Sequence, residues 1–140
     1  MYKNKLLDFL NKKCFFSKYK FGFRSGLSTT DALFNVENFV RNNIDKNNKV
    51  MGIFLDLQKA FDCVNHKLLM IKLENAGIRG LPNNLIKSFL SDRTQRVKLN
   101  DKYSDILEVS CGVPQGTVLG PLLFIIFIND LLKINTNLNT

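Results

Sequence analysis

The stretch Ile53-Phe54-Leu55-Asp56-Leu57-Gln58-Lys59-Ala60-Phe61-Asp62 carries the strongest structural signal in this sequence. Residues 50–55 are apolar almost throughout, which predicts a strand buried on both faces. The run ends at Asp56, so the strand would deliver a carboxylate to its own carboxyl end, at the edge of a packed sheet. Mg²⁺ prefers oxygen ligands and often bridges to phosphate. Asp56 is therefore a candidate metal ligand; the alternative is a carboxylate that only terminates the strand.

The residues that follow Asp56 add further candidates. The carbonyl of Leu57 could supply a second oxygen to a metal ion. The ring of Phe61 could floor a nucleotide pocket and clash with a 2′-hydroxyl, which would favour deoxynucleotides; a core aromatic is the alternative. Asp62 lies six residues after Asp56, a spacing that does not place both on one helix face. We therefore interpret Asp62 as a cap or hydrogen-bond acceptor and not as a second metal ligand.

Two further segments carry candidate binding groups. In 112–116, two glycines and Pro114 fix a tight turn from which Gln115 projects an amide that both donates and accepts hydrogen bonds. That amide could position a templating base or an incoming nucleotide; an ordinary turn with an exposed Gln is the alternative. In 21–24, the guanidinium of Arg24 could hold a triphosphate through paired hydrogen bonds. The alternative for Arg24 is a surface position beside core aromatics.

The remaining pattern predicts helices and one hairpin. Helices are expected after the caps Ser28 and Asn65, from Leu81-Pro82, and over 119–132. The helix after Ser28 has apolar residues at helical spacing, and these predict a buried face: Ala32, Leu33, Val36, Phe39, Val40 and Ile44. Segments 96–99 and 106–109 predict a hairpin around 100–102, and Gly77 suits a helix end. The order helix, strand, helices, hairpin, helix indicates an α+β fold and not a regular βαβ wind.

Charge and cysteine usage narrow the classes of function. The 140 residues suit one domain and carry a net charge of +8. Residues 1–30 hold seven basic side chains against one acidic, which suits either a phosphate backbone or a solvated, Lys-rich terminus. Three isolated cysteines and one histidine argue against zinc and disulfides. The start lacks a signal-peptide core and 122–128 is too short to span a bilayer, so we expect an intracellular chain with no membrane segment.

Four segments, taken in order and spacing, resemble the reverse transcriptase of non-LTR (LINE-type, jockey-like) retrotransposons. They are 21–29, 54–66, 112–124 and 128–131, so the resemblance extends from about Tyr19 to Leu132. It implies an α+β fold made of the fingers and part of the palm of a right-hand polymerase, ending before the family's Asp-Asp motif. The implied divisions are a fingers-like basic region at about 1–48, a palm and fingers core at about 49–134, and a frayed tail at 135–140.

The resemblance also implies an activity and its ligands. These are RNA-directed DNA polymerisation, with an RNA template, a DNA primer, deoxynucleoside triphosphates and two Mg²⁺ ions. Asp56 would be the catalytic carboxylate and, with the Leu57 carbonyl, a metal ligand; Phe61 would be the steric gate. Gln115 and Arg24 would bind the nucleotide, while Lys20 stands where the family usually has Gln.

Two expectations follow from the missing Asp-Asp motif. Because the remaining metal ligands would follow Asp130, the chain alone is expected to be inactive. We also expect the apolar helix around 122–127 to lack part of its packing partner and to expose an apolar patch. The alternative functions are a non-catalytic nucleic-acid-binding remnant of such an element and a plain structural or interaction domain.

Overall fold

A computed structural model describes residues 2–133 of the chain. It contains five α-helices: α1 (Tyr2–Lys12), α2 (Thr29–Ile44), α3 (His66–Asn75), α4 (Leu81–Leu90) and α5 (Gly120–Phe127). A 3-10 helix (Asn129–Lys133) follows α5, and four two-residue strands lie between α4 and α5: β1 (Thr94–Gln95), β2 (Lys98–Leu99), β3 (Lys102–Tyr103) and β4 (Leu107–Glu108). Helices with a small antiparallel sheet content confirm the α+β class. The predicted tail at 135–140 lies outside the described residues.

The predicted helix boundaries at Ser28, Asn65 and Gly77 are confirmed. Ser28 and Asp31 form a reciprocal capping box at the start of α2, and the Asn65 side chain accepts a hydrogen bond from the Leu68 amide. After α3, Gly77 has φ +88° and donates to the Glu74 carbonyl, while Ile78 donates to the Leu73 carbonyl. This pair of bonds forms a Schellman motif. The motif requires positive φ at Gly77, a conformation that glycine adopts readily.

The core forms where α1, α3, α4 and α5 meet. Its fully buried side chains include Leu10, Leu69, Leu73, Ile86, Leu122, Leu123, Ile125 and Ile126. The apolar helix predicted over 119–132 is shorter than expected, because the α-helix ends at Phe127 and a 3-10 turn follows. The expectation that this helix exposes an apolar patch is wrong. Helix α5 packs against α3, and its buried side chains share one core cluster with Leu6 and Leu10 of α1, a helix that sequence reasoning did not predict.

The predicted hairpin forms in part, with a different register. β2 pairs with β3 across a two-residue turn at Asn100-Asp101, where Asn100 has φ +53°. β4 pairs instead with β1, so that Gln95 lies opposite Leu107. The two strand pairs therefore form a ladder that is interrupted between Gln95 and Lys98. The strands are shorter than the predicted segments 96–99 and 106–109.

The buried strand predicted over residues 50–55 is wrong. These residues have no regular secondary structure, and the Phe54 side chain is 95% exposed. A strand needs a neighbour to accept and donate its backbone hydrogen bonds, and none of the four described strands pairs with this segment. The segment is apolar, but apolar character alone does not supply that neighbour.

The apolar face predicted for α2 exists in sequence but is not buried. None of the helix's residues is buried, and Leu33, Phe34 and Phe39 are all more than half exposed. The helix is held by its own capping box and by a surface ion pair between Arg41 and Glu37, 2.7 Å apart. Its spacing therefore predicted the helix correctly, whereas the packing partner implied by that spacing is absent from the described residues.

Candidate active-site cleft

Two segments that are distant in sequence lie against each other beside α5. The Val113 amide donates to the Phe61 carbonyl and the Gly112 amide donates to the Val64 carbonyl, each at 2.8 Å. The His66 ring adds a third link, with Nε2 2.7 Å from the Gly112 carbonyl oxygen. The segment after Asp56 and the glycine-bracketed turn are thereby held in a fixed relation, although some fifty residues separate them in sequence.

Gly112 allows this close approach. Its φ is +88°, in the region that side chains rarely adopt, and a Cβ there would lie 2.9 Å from the Asp62 carbonyl oxygen. The same Cβ would lie 3.0 Å from the Asp62 Cα, so the obstacle is backbone, which cannot rotate away. Glycine at this position is therefore required by both the local conformation and the neighbouring segment.

The two segments form one wall of a cleft of about 590 Å³. Its lining includes two basic side chains, two acidic ones and the Gln115 amide: Lys59, Arg93, Asp62, Glu108 and Gln115. Gln115 Nε2 donates to Asp62 Oδ1 at 3.2 Å, so the interpretation of Asp62 as a hydrogen-bond acceptor is confirmed. The cleft is thus polar and close to balanced in charge, and it offers both donors and acceptors to a polar ligand.

Phe61 belongs to an aromatic stack at the edge of this region. Its ring stacks on Phe124 of α5, with centroids 4.4 Å apart, and meets Phe23 edge-on at 5.8 Å. The ring is only partly buried, so it is neither a free surface aromatic nor a full core residue. Because the stack limits its rotation, Phe61 presents a fixed wall to anything that lies beside it.

Asp56 and Leu57 do not line the cleft. Both lie in the exposed, irregular segment that precedes Lys59. Within residues 2–133, no three His, Cys, Asp or Glu side chains come close enough to hold a metal ion. Asp56 is therefore not part of such a group among the described residues, and it would bring one carboxylate to a metal site.

Arg24 is held by contacts with the segment that follows α1. Its Nη1 donates to the Ser17 carbonyl at 3.3 Å, and its guanidinium lies over the Phe16 ring at 5.4 Å. The next aromatic along the chain, Phe23, is the one that contacts Phe61. Burial lowers the pKa of the nearby Lys20 ammonium from its ordinary value, because the charged form loses solvent. Arg24 thus directly follows Phe23, a member of the aromatic stack, but it is not among the residues that line the described cleft.

Sequence reasoning missed one buried polar residue that organises this region. Asn129 is 3% exposed; its Nδ2 donates to the Phe15 carbonyl at 2.9 Å, and its Oδ1 accepts from the Ser17 amide at 3.4 Å. The Ser17 carbonyl in turn accepts a hydrogen bond from Arg24 Nη1. Asn129 thus ties the end of α5 to the loop that carries Arg24. An Asn directly after the apolar run of α5 was the available signal, because a polar residue there must be paired if it is buried.

Comparison with known proteins identifies the class. The sequence profile of the family described as reverse transcriptase (RNA-dependent DNA polymerase) matches residues 1–139. The chain therefore belongs to the reverse transcriptase family.

Its relatives include proteins of mobile elements. The chain is 39% identical over 117 residues to the RNA-directed DNA polymerase from mobile element jockey of Drosophila melanogaster, covering 81% of this chain and 12% of that protein. It is 34% identical over 128 residues to the probable RNA-directed DNA polymerase from transposon BS of the same species, covering 91% of this chain and 14% of that protein. The chain thus spans about an eighth of these relatives, and the resemblance to jockey-like elements is confirmed.

No solved structure matches the chain. No helix within residues 2–133 has the length and apolar character needed to cross a bilayer.

Proposed function

We propose that the chain contributes the fingers and part of the palm of a right-hand RNA-directed DNA polymerase. The observation that supports this most directly is the backbone pairing of 61–64 with 112–113, which brings Phe61, Asp62 and Gln115 to one side of the molecule. These are the two segments in which the sequence resembles non-LTR reverse transcriptases most specifically. The substrates would be deoxynucleoside triphosphates, with an RNA template and a DNA primer.

Asp56 would be the catalytic carboxylate of this polymerase. In the full site it would be one ligand of two Mg²⁺ ions, and the Leu57 carbonyl would supply another oxygen. When bound, such ions stabilise the charge that develops during nucleotidyl transfer. Because the described residues supply no carboxylate cluster around Asp56, the remaining ligands would have to come from elsewhere in a complete enzyme.

Phe61 would act as the gate that selects the sugar. Stacking on Phe124 and the edge contact with Phe23 hold its ring in place, so it cannot swing aside to admit a larger ligand. A 2′-hydroxyl placed against this ring would meet carbon at van der Waals distance and lose its water. The fixed ring therefore favours deoxyribose over ribose.

Arg24 and Gln115 would complete the nucleotide contacts. Within the part of the chain that the structure describes, one nitrogen of Arg24 is hydrogen-bonded, to the Ser17 carbonyl, so further guanidinium N–H groups remain to meet phosphate oxygens. Gln115 offers an amide oxygen and a second N–H beside the cleft. These two side chains provide the charge and the directional hydrogen bonds that nucleotide binding requires.

Sugar discrimination tests the proposal. The affinities of the chain for dATP and ATP would be measured with Mg²⁺ by calorimetry, for the wild type and for Phe61→Val. We expect the wild type to prefer dATP and the variant to lose most of that preference. Phe34→Val, an exposed position on α2, is the matched control and should leave the preference unchanged. Equal affinity of the wild-type chain for both nucleotides, or no binding of either, would contradict the proposal.

The basic N-terminal segment favours a second candidate, a non-catalytic nucleic-acid-binding domain. Its lysines lie along α1 and the loop after it, most of them exposed: Lys3, Lys5, Lys12, Lys13 and Lys18. If this surface is the whole function, RNA affinity should fall steeply with salt, and nucleotides should neither bind nor compete. A polymerase domain should show both the salt dependence and nucleotide binding. The two candidates are therefore separated by the same titration.

A further inference from the structure

We propose that Asp62 is a positioning residue that orients the Gln115 amide, so that its oxygen accepts a hydrogen bond from a donor group of the bound nucleoside triphosphate. This inference rests on the proposed function for the nature of the ligand. The link between the two side chains stands on its own geometry, the 3.2 Å contact from Gln115 Nε2 to Asp62 Oδ1.

The first step is the direction of the amide. A carboxylate only accepts hydrogen bonds, whereas an amide has an accepting oxygen on one side and a donating nitrogen on the other. A rotated Gln115 amide would place its oxygen against the Asp62 carboxylate, and two acceptors repel each other. Asp62 therefore selects one of the two amide orientations, and it does so by charge as well as by hydrogen bonding.

The second step is the rigidity of the support. Asp62 lies between Phe61 and Val64, whose carbonyls are bonded to the turn that carries Gln115. Its backbone also packs directly against Gly112. Since both side chains start from backbone segments that are fixed to each other, the link does not depend on a flexible loop closing. Such preorganisation reduces the entropy that a ligand must otherwise supply.

The third step concerns the atom of Gln115 that is available to bind a ligand. Among the described residues, Gln115 Oε1 accepts no hydrogen bond, and Gln115 and Asp62 both line the cleft. An oriented acceptor in a cleft selects ligands that carry an N–H or O–H group at the matching position. In dATP two such groups are the 3′-hydroxyl of the sugar and the exocyclic amine of the base. The shared chemistry is a hydrogen-bond donor, and the choice between its two sources is an experimental question.

The link itself is tested by NMR of the glutamine side chains. The chain has three glutamines, Gln58, Gln95 and Gln115, so selective ¹⁵N labelling gives a simple spectrum with two internal references. We expect one Gln115 amide proton to be shifted downfield from its partner by the hydrogen bond to the Asp62 carboxylate. Asp62→Ala, which removes the acceptor, should collapse that difference and leave the other two pairs unmoved. An unchanged Gln115 signal in Asp62→Ala would overturn the proposal.

The consequence for binding is tested by a double-mutant cycle with dATP, ddATP and dTTP in the presence of Mg²⁺. Asp62→Ala and Gln115→Met should each weaken dATP binding about three- to tenfold, and the double variant should be no worse than either single one. Asp101→Asn, in the exposed β2–β3 turn, is the control and should bind as the wild type does. Additive losses in the double variant would refute positioning, because they would mean that the two residues act independently.

The comparison of the three nucleotides identifies the hydrogen-bond donor. The NMR and binding results together separate this proposal from the proposed function. If the sugar hydroxyl is the donor, Asp62→Ala should not affect ddATP; if an exocyclic amine is the donor, it should not affect dTTP. Equal losses for all three nucleotides would contradict a directed acceptor. If the NMR link is present but the wild-type chain binds no nucleotide, the proposed function fails, and with it the role assigned to the oriented oxygen. If nucleotides bind but the link is absent, only the positioning role fails.

Discussion

Replacing Gly112 by alanine tests the contact that joins the two halves of the cleft. Two costs add at this position. A non-glycine residue at φ +88° costs about 1–2 kcal/mol in backbone strain. The new Cβ would also lie 2.9 Å from the Asp62 carbonyl oxygen, and relieving that overlap by moving a backbone segment costs about 1–3 kcal/mol more. The expected loss in the free energy of unfolding is therefore about 2–5 kcal/mol.

Gly116 provides a matched control for this substitution. It lies in the same turn with φ +73°, but nothing is within 4 Å of the position that a Cβ would occupy. Gly116→Ala should therefore cost the strain alone, about 1–2 kcal/mol. The difference between the two variants isolates the close approach of 112 to the segment that holds Asp62.

Urea unfolding followed by far-UV circular dichroism measures both values. In a domain of this size, about 1 kcal/mol corresponds to a shift of roughly 3 °C in Tm. Gly112→Ala should also remove the downfield shift of the Gln115 amide proton that is bonded to Asp62, whereas Gly116→Ala should retain it. Equal stability losses in the two variants would refute the reasoning, because the contact with Asp62 would then contribute nothing.

Three further outcomes are expected. Asn129→Leu should lower the free energy of unfolding by about 1–3 kcal/mol, measured by urea unfolding, because it leaves buried backbone groups unpaired; a neutral result would argue against the buried network. Hydrogen bonds from Ser28 lower the pKa of the Asp31 carboxyl in the folded chain. The ionised carboxyl therefore stabilises α2 above the pKa of the unfolded chain, and this stabilisation is lost as pH falls through the folded pKa. The ¹³Cα shifts of α2 should show fraying below about pH 4, and in Asp31→Asn these shifts should not change with pH. The purified chain should show no Mg²⁺-dependent primer extension on an RNA template; extension that is lost in Asp56→Ala would overturn this.

Local features of the fold could be predicted because their causes are local. The caps at Ser28 and Asn65 and the glycine exit at Gly77 depend on hydrogen bonds within four or five residues. The turn at 100–101 likewise depends on one residue that tolerates positive φ. Each of these signals is complete within a short window of sequence.

Features that depend on a distant partner could not be predicted in the same way. An apolar run at 50–55 predicted a buried strand, but a strand forms only where another strand meets it. Helical spacing predicted α2 correctly, but the burial of its apolar face required a neighbour that residues 2–133 do not supply. Helix α1 was missed because its lysines were interpreted as a basic arm, although Leu6 and Leu10 anchor it in the core.

In the candidate site, too, local features could be predicted and features that depend on a distant partner could not. The residue types at Phe61, Asp62 and Gln115 were recognisable, and the resemblance to reverse transcriptases grouped them. Their proximity depends on two backbone hydrogen bonds and on the space above Gly112, which no spacing rule reveals. The roles proposed for the site residues all stay predictions: Arg24, Asp56, Leu57, Phe61 and Gln115. Of these residues only Gln115 is among those that line the described cleft.

The most direct test of the account is an NMR titration of the ¹⁵N-labelled chain with dATP and Mg²⁺. The account predicts that amide shifts concentrate at 61–64 and 112–116, with smaller changes around Arg24 and none at the β2–β3 turn. Shifts confined to the lysines of α1, or no shifts at all, would contradict the claim that these two segments form a nucleotide site.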